Sequence, residues 1–93
     1  MGLEFEWDDR KAKQNARKHG VSFEEASTVF SDPAALTIFD RVHSDEEDRY
    51  VTLGESQQRR LIVVAFTDRD DVIRIISARR ATPRERNDYE EGS

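Results

Sequence analysis

The stretch LIVVAF, residues 61–66, is the longest apolar run in the chain. Its β-branched residues favour a strand, and six residues is an ordinary strand length. Because no polar residue alternates with the apolar ones, both faces of this strand are expected to be covered. The run therefore predicts the central strand of a sheet, and it is far too short to cross a bilayer, which needs about 20 residues.

Three further strands are predicted around this run, at Leu36–Phe39, Arg49–Leu53 and Val72–Arg79. Polar residues at 68–71 form a turn that joins the central strand to the last one in a hairpin, and residues 54–59 form another turn. The loop between the first two strands, Asp40–Asp48, is rich in acidic residues. Four consecutive strands with short connections predict a mostly antiparallel meander.

Three helices are marked by capping residues. The caps and their helices are Asp8 before Asp9–His19, Ser22 with Glu25 before a helix that ends at Asp32-Pro33, and Thr82 with Glu85 before a terminal helix that runs to about Glu91. The last two caps are capping boxes, in which the hydroxyl and the glutamate each bond the other residue's backbone N–H. The alternation of Leu3, Phe5 and Trp7 adds a short N-terminal strand.

The predicted fold class is α+β, with a mostly antiparallel sheet of four to five strands, two N-terminal helices and one C-terminal helix. A chain of 93 residues holds one modest core, so residues 1–93 are assigned to a single domain. The absence of cysteine excludes disulfides and thiolate chemistry. With no signal-peptide or membrane-spanning pattern, the expected location is cytoplasmic and no membrane partner is expected.

Charge is distributed unevenly along the chain. The net charge of −5 disfavours a simple nucleic-acid binder. Residues 21–54 carry eight acidic and two basic residues, whereas residues 55–86 carry eight arginines and five acidic residues. Because the planar fork of arginine suits phosphate, the second segment is the candidate anion-binding region. The alternative is a solvated surface with a random charge asymmetry.

The first candidate site is at the end of the last strand. Strict alternation places Arg74 and Ile76 on one face and Arg79 on the other, with Arg80 turned back toward the Arg74 side. Two adjacent arginines just before a capped helix predict a phosphate site. The alternative is that these arginines pair with the acidic residues of loop 40–48.

The second candidate site is the loop that contains His43, Glu47 and Arg49. A histidine can transfer protons near neutral pH, and a carboxylate can act as a general base. Glu47 and Arg49 are two residues apart at the start of a strand, so they are expected to face the same way. His43, Asp45 and Glu47 match the spacing of no closed metal site, so no metal ligand is assigned. The alternative is an ordinary solvated loop.

A third candidate is Lys18-His19-Gly20 at the end of the first helix. Cationic side chains there complement the helix dipole, and this structural role alone explains them. They are also available to contact a phosphate backbone.

Several blocks of the sequence resemble the BrnT family, the toxin component of type II toxin–antitoxin systems. The main blocks are Phe5–Asp8, Lys18–Ala26, His43-Ser44, Glu47 with Arg49, and Arg74–Thr82. They follow one another in order over nearly the whole chain. The Lys-His-Gly and Ile-Ser-Ala-Arg blocks are specific in combination.

The resemblance implies a RelE-like fold and a ribonuclease that inhibits translation. It also implies a BrnA-like ribbon-helix-helix antitoxin, with operator DNA bound only through that antitoxin. Carried onto this sequence, the catalytic candidates are His43, Glu47, Arg49, Arg79 and Arg80, and the RNA-binding candidates are Arg74, Lys18 and His19.

The predicted reaction is metal-independent RNA cleavage without a cofactor, in which the ribose 2′-OH attacks the neighbouring phosphate. One alternative is a non-catalytic protein- or nucleic-acid-binding regulatory module. Another is a metal-dependent nuclease that uses Asp45, Glu46 and Glu47. The acidic segment 21–54 predicts electrostatic attraction to a basic antitoxin, which charge reversal at Asp45, Glu46 and Asp48 should weaken.

Overall fold

One mixed sheet organises the chain, and helices pack on both of its faces. The computed structural model describes residues 3–45 and 47–92. In that part of the chain the elements are, in order, β1 (Glu4–Glu6), α1 (Asp9–His19), α2 (Phe23–Thr28), a 3₁₀ turn (Val29–Ser31), β2 (Leu36–Phe39), β3 (Arg49–Glu55), β4 (Leu61–Arg69), β5 (Val72–Arg80) and α3 (Pro83–Gly92). The predicted α+β class and element order are confirmed.

The strand order in the sheet is β1-β5-β4-β3-β2. Strands β2 to β5 form the predicted antiparallel meander, with β4 at the centre. Strand β1 lies parallel to the first half of β5, where Glu4 is in register with Val72 and Glu6 with Arg74. The second half of β5, beyond Arg74, has no strand on that side among the described residues.

Helices α1 and α2 cover one face of the sheet and enclose the larger core. The buried residues of this core are Val21, Phe23, Ala26, Val29, Ile62, Val64, Phe66, Ile73, Ile75 and Ala78. Asn15 of α1 is buried against β5, where its side-chain amide donates to Ala78 O at 2.8 Å and its Oδ1 accepts from Ala78 N at 3.1 Å. These two bonds fix α1 against β5, since an unpaired buried amide would be costly.

Helix α3 covers one end of the opposite face. Leu53, Leu61 and Val63 form a second apolar cluster there, and Tyr89 of α3 packs on it. The Tyr89 hydroxyl donates to Asp32 Oδ2 at 2.6 Å, and this hydrogen bond raises the pKa of Tyr89 to about 12. The first half of β4 is therefore covered on both faces, as its continuous apolar run predicted. The rest of this face is not covered by α3.

The caps of the three helices differ in completeness. Asp8 Oδ1 accepts from Lys11 N at 3.0 Å, and at α3 the Thr82–Glu85 capping box forms in both directions. At α2, Ser22 Oγ accepts from Glu25 N at 3.0 Å, but the Glu25 carboxylate does not return the bond. It is buried and instead accepts from Arg60 and from Ser56 Oγ. The predicted second capping box is therefore half formed, because burial gives this carboxylate better partners.

The hairpin between β4 and β5 is tighter than predicted. The turn consists of Asp70 and Asp71, both with positive φ (49° and 72°), which is the geometry of a two-residue hairpin turn. Such a turn lets the ladder continue to its base, so Asp68 and Arg69 belong to β4 rather than to the predicted turn 68–71. This end of the sheet is exposed, so the strand residues here are polar. Polar residues resemble a turn in the sequence, and the strand was therefore predicted to end too early.

No helix among residues 3–45 and 47–92 has the length and apolar character that crossing a membrane requires.

Candidate active site

Arginines line the side of the sheet opposite α1 and α2, beside the part that α3 covers. On the side opposite α1 and α2, strands β3, β4 and β5 present Arg49, Thr67, Arg74, Ser77 and Arg79, and we call this surface the arginine face. Cross-strand partners share a face, and Arg49 and Arg74 are both direct partners of Thr67. Arg79 is the partner of Val63, which lies four residues before Thr67 on β4. The pairs of Thr67 and of Val63 are therefore about 13 Å apart along the strand.

A bulge in β5 creates this surface. The pairing shifts from Ala65–Ser77 to Phe66–Ile75, so Ile76 is an extra residue on β5. The extra residue reverses the alternation that the sequence predicted for Arg74. Arg74 therefore lies on the same face as Arg79 rather than on the opposite one, and the prediction from strict alternation was wrong on this point.

The two adjacent arginines at the end of β5 are separated by the sheet. Arg80 pairs with Ile62, whose side chain belongs to the core under α1 and α2, so Arg80 is on the opposite side from Arg79. Hydrogen bonds from Arg60 lower the pKa of Glu25, and the charge of Arg80 adds to this effect. Arg80 thus lies near the Glu25–Arg60 pair, and Arg79 is the member of the pair that belongs to the arginine face.

The guanidinium group of Arg79 is held in a fixed orientation. Its Nη1 and Nη2 donate to the two carboxylate oxygens of Glu85, both at 2.8 Å, and Nη1 also approaches Arg80 O at 3.3 Å. The hydrogen bonds from Arg79 lower the pKa of Glu85 to about 2, so this carboxylate is ionised at physiological pH. Because Glu85 is also bound by Thr82 in the cap of α3, the start of this helix positions Arg79.

His43 lies in the loop between β2 and β3 and is exposed. Its side chain is 62% exposed, and its Nδ1 is 2.9 Å from Asp40 Oδ2. Burial raises the pKa of Asp40, but hydrogen bonds from His43 and from nearby backbone N–H groups outweigh it, so the pKa is lowered overall. An ionised carboxylate at Nδ1 fixes the ring and leaves Nε2 as the nitrogen that can exchange a proton with a substrate.

His43, Glu47 and Arg49 lie together, as predicted. They line an open recess of about 310 Å³ with Asp45. Glu47 accepts a hydrogen bond from Arg69 Nε, and this bond lowers the pKa of Glu47. Arg49 belongs both to this recess and to the arginine face, so it connects the loop site to the sheet site.

Lys18 and His19 lie at a different place. With Lys11 and Gln14 of α1, they line a groove of about 290 Å³ against Ile76 and Ser77 of β5. This groove runs along the edge of β5 that β1 leaves uncovered. Ser77 belongs to both the groove and the arginine face, so a long ligand could pass from one to the other.

The described residues contain no group of three or more His, Cys, Asp or Glu side chains that could hold a metal ion. Glu46, a member of the carboxylate set considered from the sequence, lies outside the described residues.

Two residues of this region escaped the sequence analysis, Thr67 and Arg69. The apolar run ends at Phe66, and the polar residues after it resembled a turn. The sequence nevertheless continues the alternation of side chains that is typical of a strand, with a period of two residues. Continuing the alternation of Leu61, Val63 and Ala65 leads directly to Thr67 and Arg69 on the same face.

The fold and this surface together define a small α+β domain with a cationic sheet face that suits a polyanion. The family model described as "Ribonuclease toxin, BrnT, of type II toxin-antitoxin system" matches residues 7–85. The chain therefore belongs to the BrnT family of ribonuclease toxins.

A solved structure supports the fold assignment. The chain is similar to the 1.1 Å crystal structure of the Brucella abortus ribonuclease toxin, BrnT, with a TM-score of 0.66 and 24% sequence identity. The alignment covers 87% of this chain and 99% of that chain, and at this identity it concerns the fold alone. A search of the curated proteins finds no match.

Proposed function

We propose that this chain cleaves RNA, that it inhibits translation by doing so, and that a cognate antitoxin neutralises it. Membership of a ribonuclease toxin family supports the proposal. The observation that carries it is the arrangement of Arg49, Arg74 and Arg79 on one face of the sheet. Arginines on a sheet can contact several phosphates of one RNA molecule. We place this encounter between the protein and RNA in the cytoplasm.

In the proposed reaction the ribose 2′-oxygen attacks the adjacent phosphorus. The 2′-OH gives its proton to a base, the bond between phosphorus and the 5′-oxygen breaks, and that oxygen takes up a proton from the protonated base. The products are a 2′,3′-cyclic phosphate and a 5′-hydroxyl end. Water and cofactors take no part, so every group that the step requires is a side chain or the RNA itself.

Negative charge accumulates on the phosphoryl oxygens in the transition state. Fixed cations next to these oxygens stabilise it without reorganisation, and removing one such donor typically costs about 3–4 kcal/mol. We assign this role to Arg79, which Glu85 holds in place, and to Arg49. Arg80, which the sequence also suggested as catalytic, is on the other side of the sheet, so we assign it no contact with this phosphate.

Proton transfer is assigned to the recess beside the arginine face. His43 Nε2 is available to take or give a proton, with Asp40 at the other ring nitrogen. Glu47 is the second candidate, but the hydrogen bond from Arg69 lowers its pKa and weakens it as a base. His43 is therefore our preferred general base, and a positioned base contributes roughly 10²–10⁴ in rate.

The remaining RNA contacts and the partner complete the proposal. Arg74, Lys18 and His19 bind the RNA backbone on either side of Ser77. The partner is a BrnA-like ribbon-helix-helix antitoxin, which binds operator DNA and brings the toxin with it. The acidic loop beside the recess is its proposed contact, because an acidic surface attracts a partner of net positive charge.

Growth arrest and RNA cleavage are the first expected results. Expression without an antitoxin should stop bacterial growth, and the purified protein should shorten bulk RNA to products that end in 2′,3′-cyclic phosphate. Growth and product ends are the two measurements, and a His43→Gln variant at equal yield is the control expected to lose activity. Binding of RNA without cleavage by well-folded wild-type protein would instead support the regulatory-module alternative.

Cleavage is also expected to persist in a chelator. The described residues offer no cluster of ligands for a metal ion, and the proposed step uses only arginines and a proton acceptor. The initial rate in excess EDTA should equal the rate in buffer alone. Loss of activity that Mg²⁺ or Mn²⁺ restores would move the reaction to the carboxylates of the loop, Asp45, Glu46 and Glu47.

A further inference from the structure

Thr67 has a buried side chain whose hydroxyl is not satisfied. The residue is 1% exposed, and its Oγ1 has no hydrogen-bond partner among the described residues. It is the only buried side-chain polar atom of residues 3–45 and 47–92 in this condition. The hydroxyls of two other buried residues are paired, since Thr52 Oγ1 accepts from Thr37 at 2.9 Å and Ser56 Oγ donates to Glu25 at 2.7 Å.

A buried hydroxyl without a partner lowers the stability of the free protein. Valine has nearly the same shape as threonine and an equal preference for strands, and it would avoid this cost. Packing alone therefore does not explain a threonine at this position. An unsatisfied buried polar group in an otherwise satisfied structure needs another explanation, and a ligand that completes its bonding is one.

The position of Thr67 indicates what the ligand would be. Thr67 is on the central strand, and its direct cross-strand partners on the two sides are Arg49 and Arg74. The alternation of β4 places its side chain on the arginine face, two residues beyond Ala65 and two before Arg69. A hydroxyl donor with an arginine on each neighbouring strand is a set of groups that suits a phosphate.

The arginines around Thr67 are held at the rim by weak, exposed ion pairs. Arg74 Nη1 is 3.1 Å from Glu6 Oε2, and the two side chains are 37% and 46% exposed. Arg69 pairs with Glu47 on the side of the loop. Exposed pairs of this kind contribute little and exchange partners readily, so a phosphate can displace the carboxylates. The arginines would then take the phosphate as their new partner.

We propose that Thr67 Oγ1 donates a hydrogen bond to a non-bridging phosphate oxygen of bound RNA, between the guanidinium groups of Arg49 and Arg74. This inference rests on the proposed function for the identity of the ligand. It makes Thr67 a residue that contacts the substrate and fixes the position of one phosphate on the sheet. It also gives the bulge at Ile76 a purpose, because without the bulge Arg74 would be on the opposite face.

The test measures binding and stability separately, with RNA that cannot be cleaved. A fully 2′-O-methylated oligoribonucleotide lacks the attacking hydroxyl, so its affinity is independent of catalysis. Thr67→Val should weaken this binding about ten- to a hundredfold, the effect of one lost hydrogen bond to a charged group. Its Tm should be equal to or a few degrees above that of the wild type, because the unsatisfied hydroxyl is gone. Thr67→Ser keeps the hydroxyl and should bind within about threefold of the wild type.

Thr52→Val is the matched control. Thr52 is a buried threonine on the neighbouring strand β3, but it faces the α1 and α2 side and its hydroxyl is bonded within the protein. This variant should have a lower Tm and unchanged affinity, the opposite of Thr67→Val on both measurements.

Two results would overturn the inference. The first is that Thr67→Val binds the methylated RNA as tightly as the wild type does. A wild-type protein that does not bind this RNA at all counts as the same result. The second is a clear fall in the Tm of Thr67→Val, which would mean that the hydroxyl is bonded within the free protein. Failure of the proposed function looks different. Wild-type protein that binds methylated RNA through Thr67 but leaves natural RNA intact would keep the phosphate site and reject the ribonuclease.

Discussion

Arg79→Ala is expected to lower the rate of RNA cleavage by about 100- to 1,000-fold, the usual consequence of removing one fixed donor from an anionic transition state. Arg79 is the best-oriented cation on the arginine face, because both of its terminal nitrogens are bound by Glu85. A preorganised group is worth more than a mobile one, since the RNA does not have to order it. Single-turnover cleavage of a short RNA at saturating enzyme measures this effect without a contribution from binding.

Arg80→Ala is the informative comparison, because the sequence places it beside Arg79 and the fold does not. Arg80 faces the Glu25–Arg60 pair, so its loss is expected to change the single-turnover rate by less than about tenfold. Arg59→Ala, in the exposed turn between β3 and β4, controls for the loss of one positive charge. Equal losses in Arg79→Ala and Arg80→Ala would mean that RNA contacts both sides of the sheet and that the arginine face is not the active site.

The fold was predictable because its signals are local. The caps at Asp8, Ser22 and Thr82 fix where the helices begin, and each depends on residues within three positions. The apolar run 61–66 is long enough to indicate a doubly covered strand by itself. Elements defined by a few adjacent residues were therefore located to within one or two positions, whereas β4 was cut short where its residues become polar.

The site was less predictable because it depends on register. A single extra residue at Ile76 changes the face on which Arg74 lies, and nothing in the sequence 72–80 marks that residue. The pairing of Glu25 with Arg60, 35 residues away, is likewise a property of the assembled fold. Residue types could suggest phosphate chemistry, but which arginines act together was decided by tertiary structure.

The acidic segment 21–54 is not one surface in the folded protein. Glu25 is buried with Arg60, and Asp32 accepts hydrogen bonds from Tyr89 and from the backbone of Glu55. The acids that remain available on the loop are exposed at Asp45 and Asp48, and Glu46 lies outside the described residues. Since Asp45 also lines the recess of His43 and Arg49, an antitoxin drawn to this loop would cover the site as it binds.

Association with the antitoxin is therefore expected to slow steeply as salt is added. Attraction between the acidic loop and a basic partner raises the encounter rate, and ions screen it beyond about 8 Å at physiological ionic strength. Stopped-flow association should become about ten- to a hundredfold slower between 0.05 and 0.5 M salt, while dissociation changes much less. An association rate that is indifferent to salt would mean that the loop is an ordinary solvated surface.

Charge reversal identifies which part of the toxin surface attracts the antitoxin. Asp45→Lys with Asp48→Lys should slow association at low salt by about tenfold and remove most of its salt dependence. Asp88→Lys with Glu91→Lys, two exposed positions of α3, changes the net charge equally and should slow association much less. Steering depends on where the charge is, because screening limits each charge to its own neighbourhood. If both pairs slow association equally, net charge rather than the loop attracts the antitoxin, and the partner binds elsewhere on the toxin.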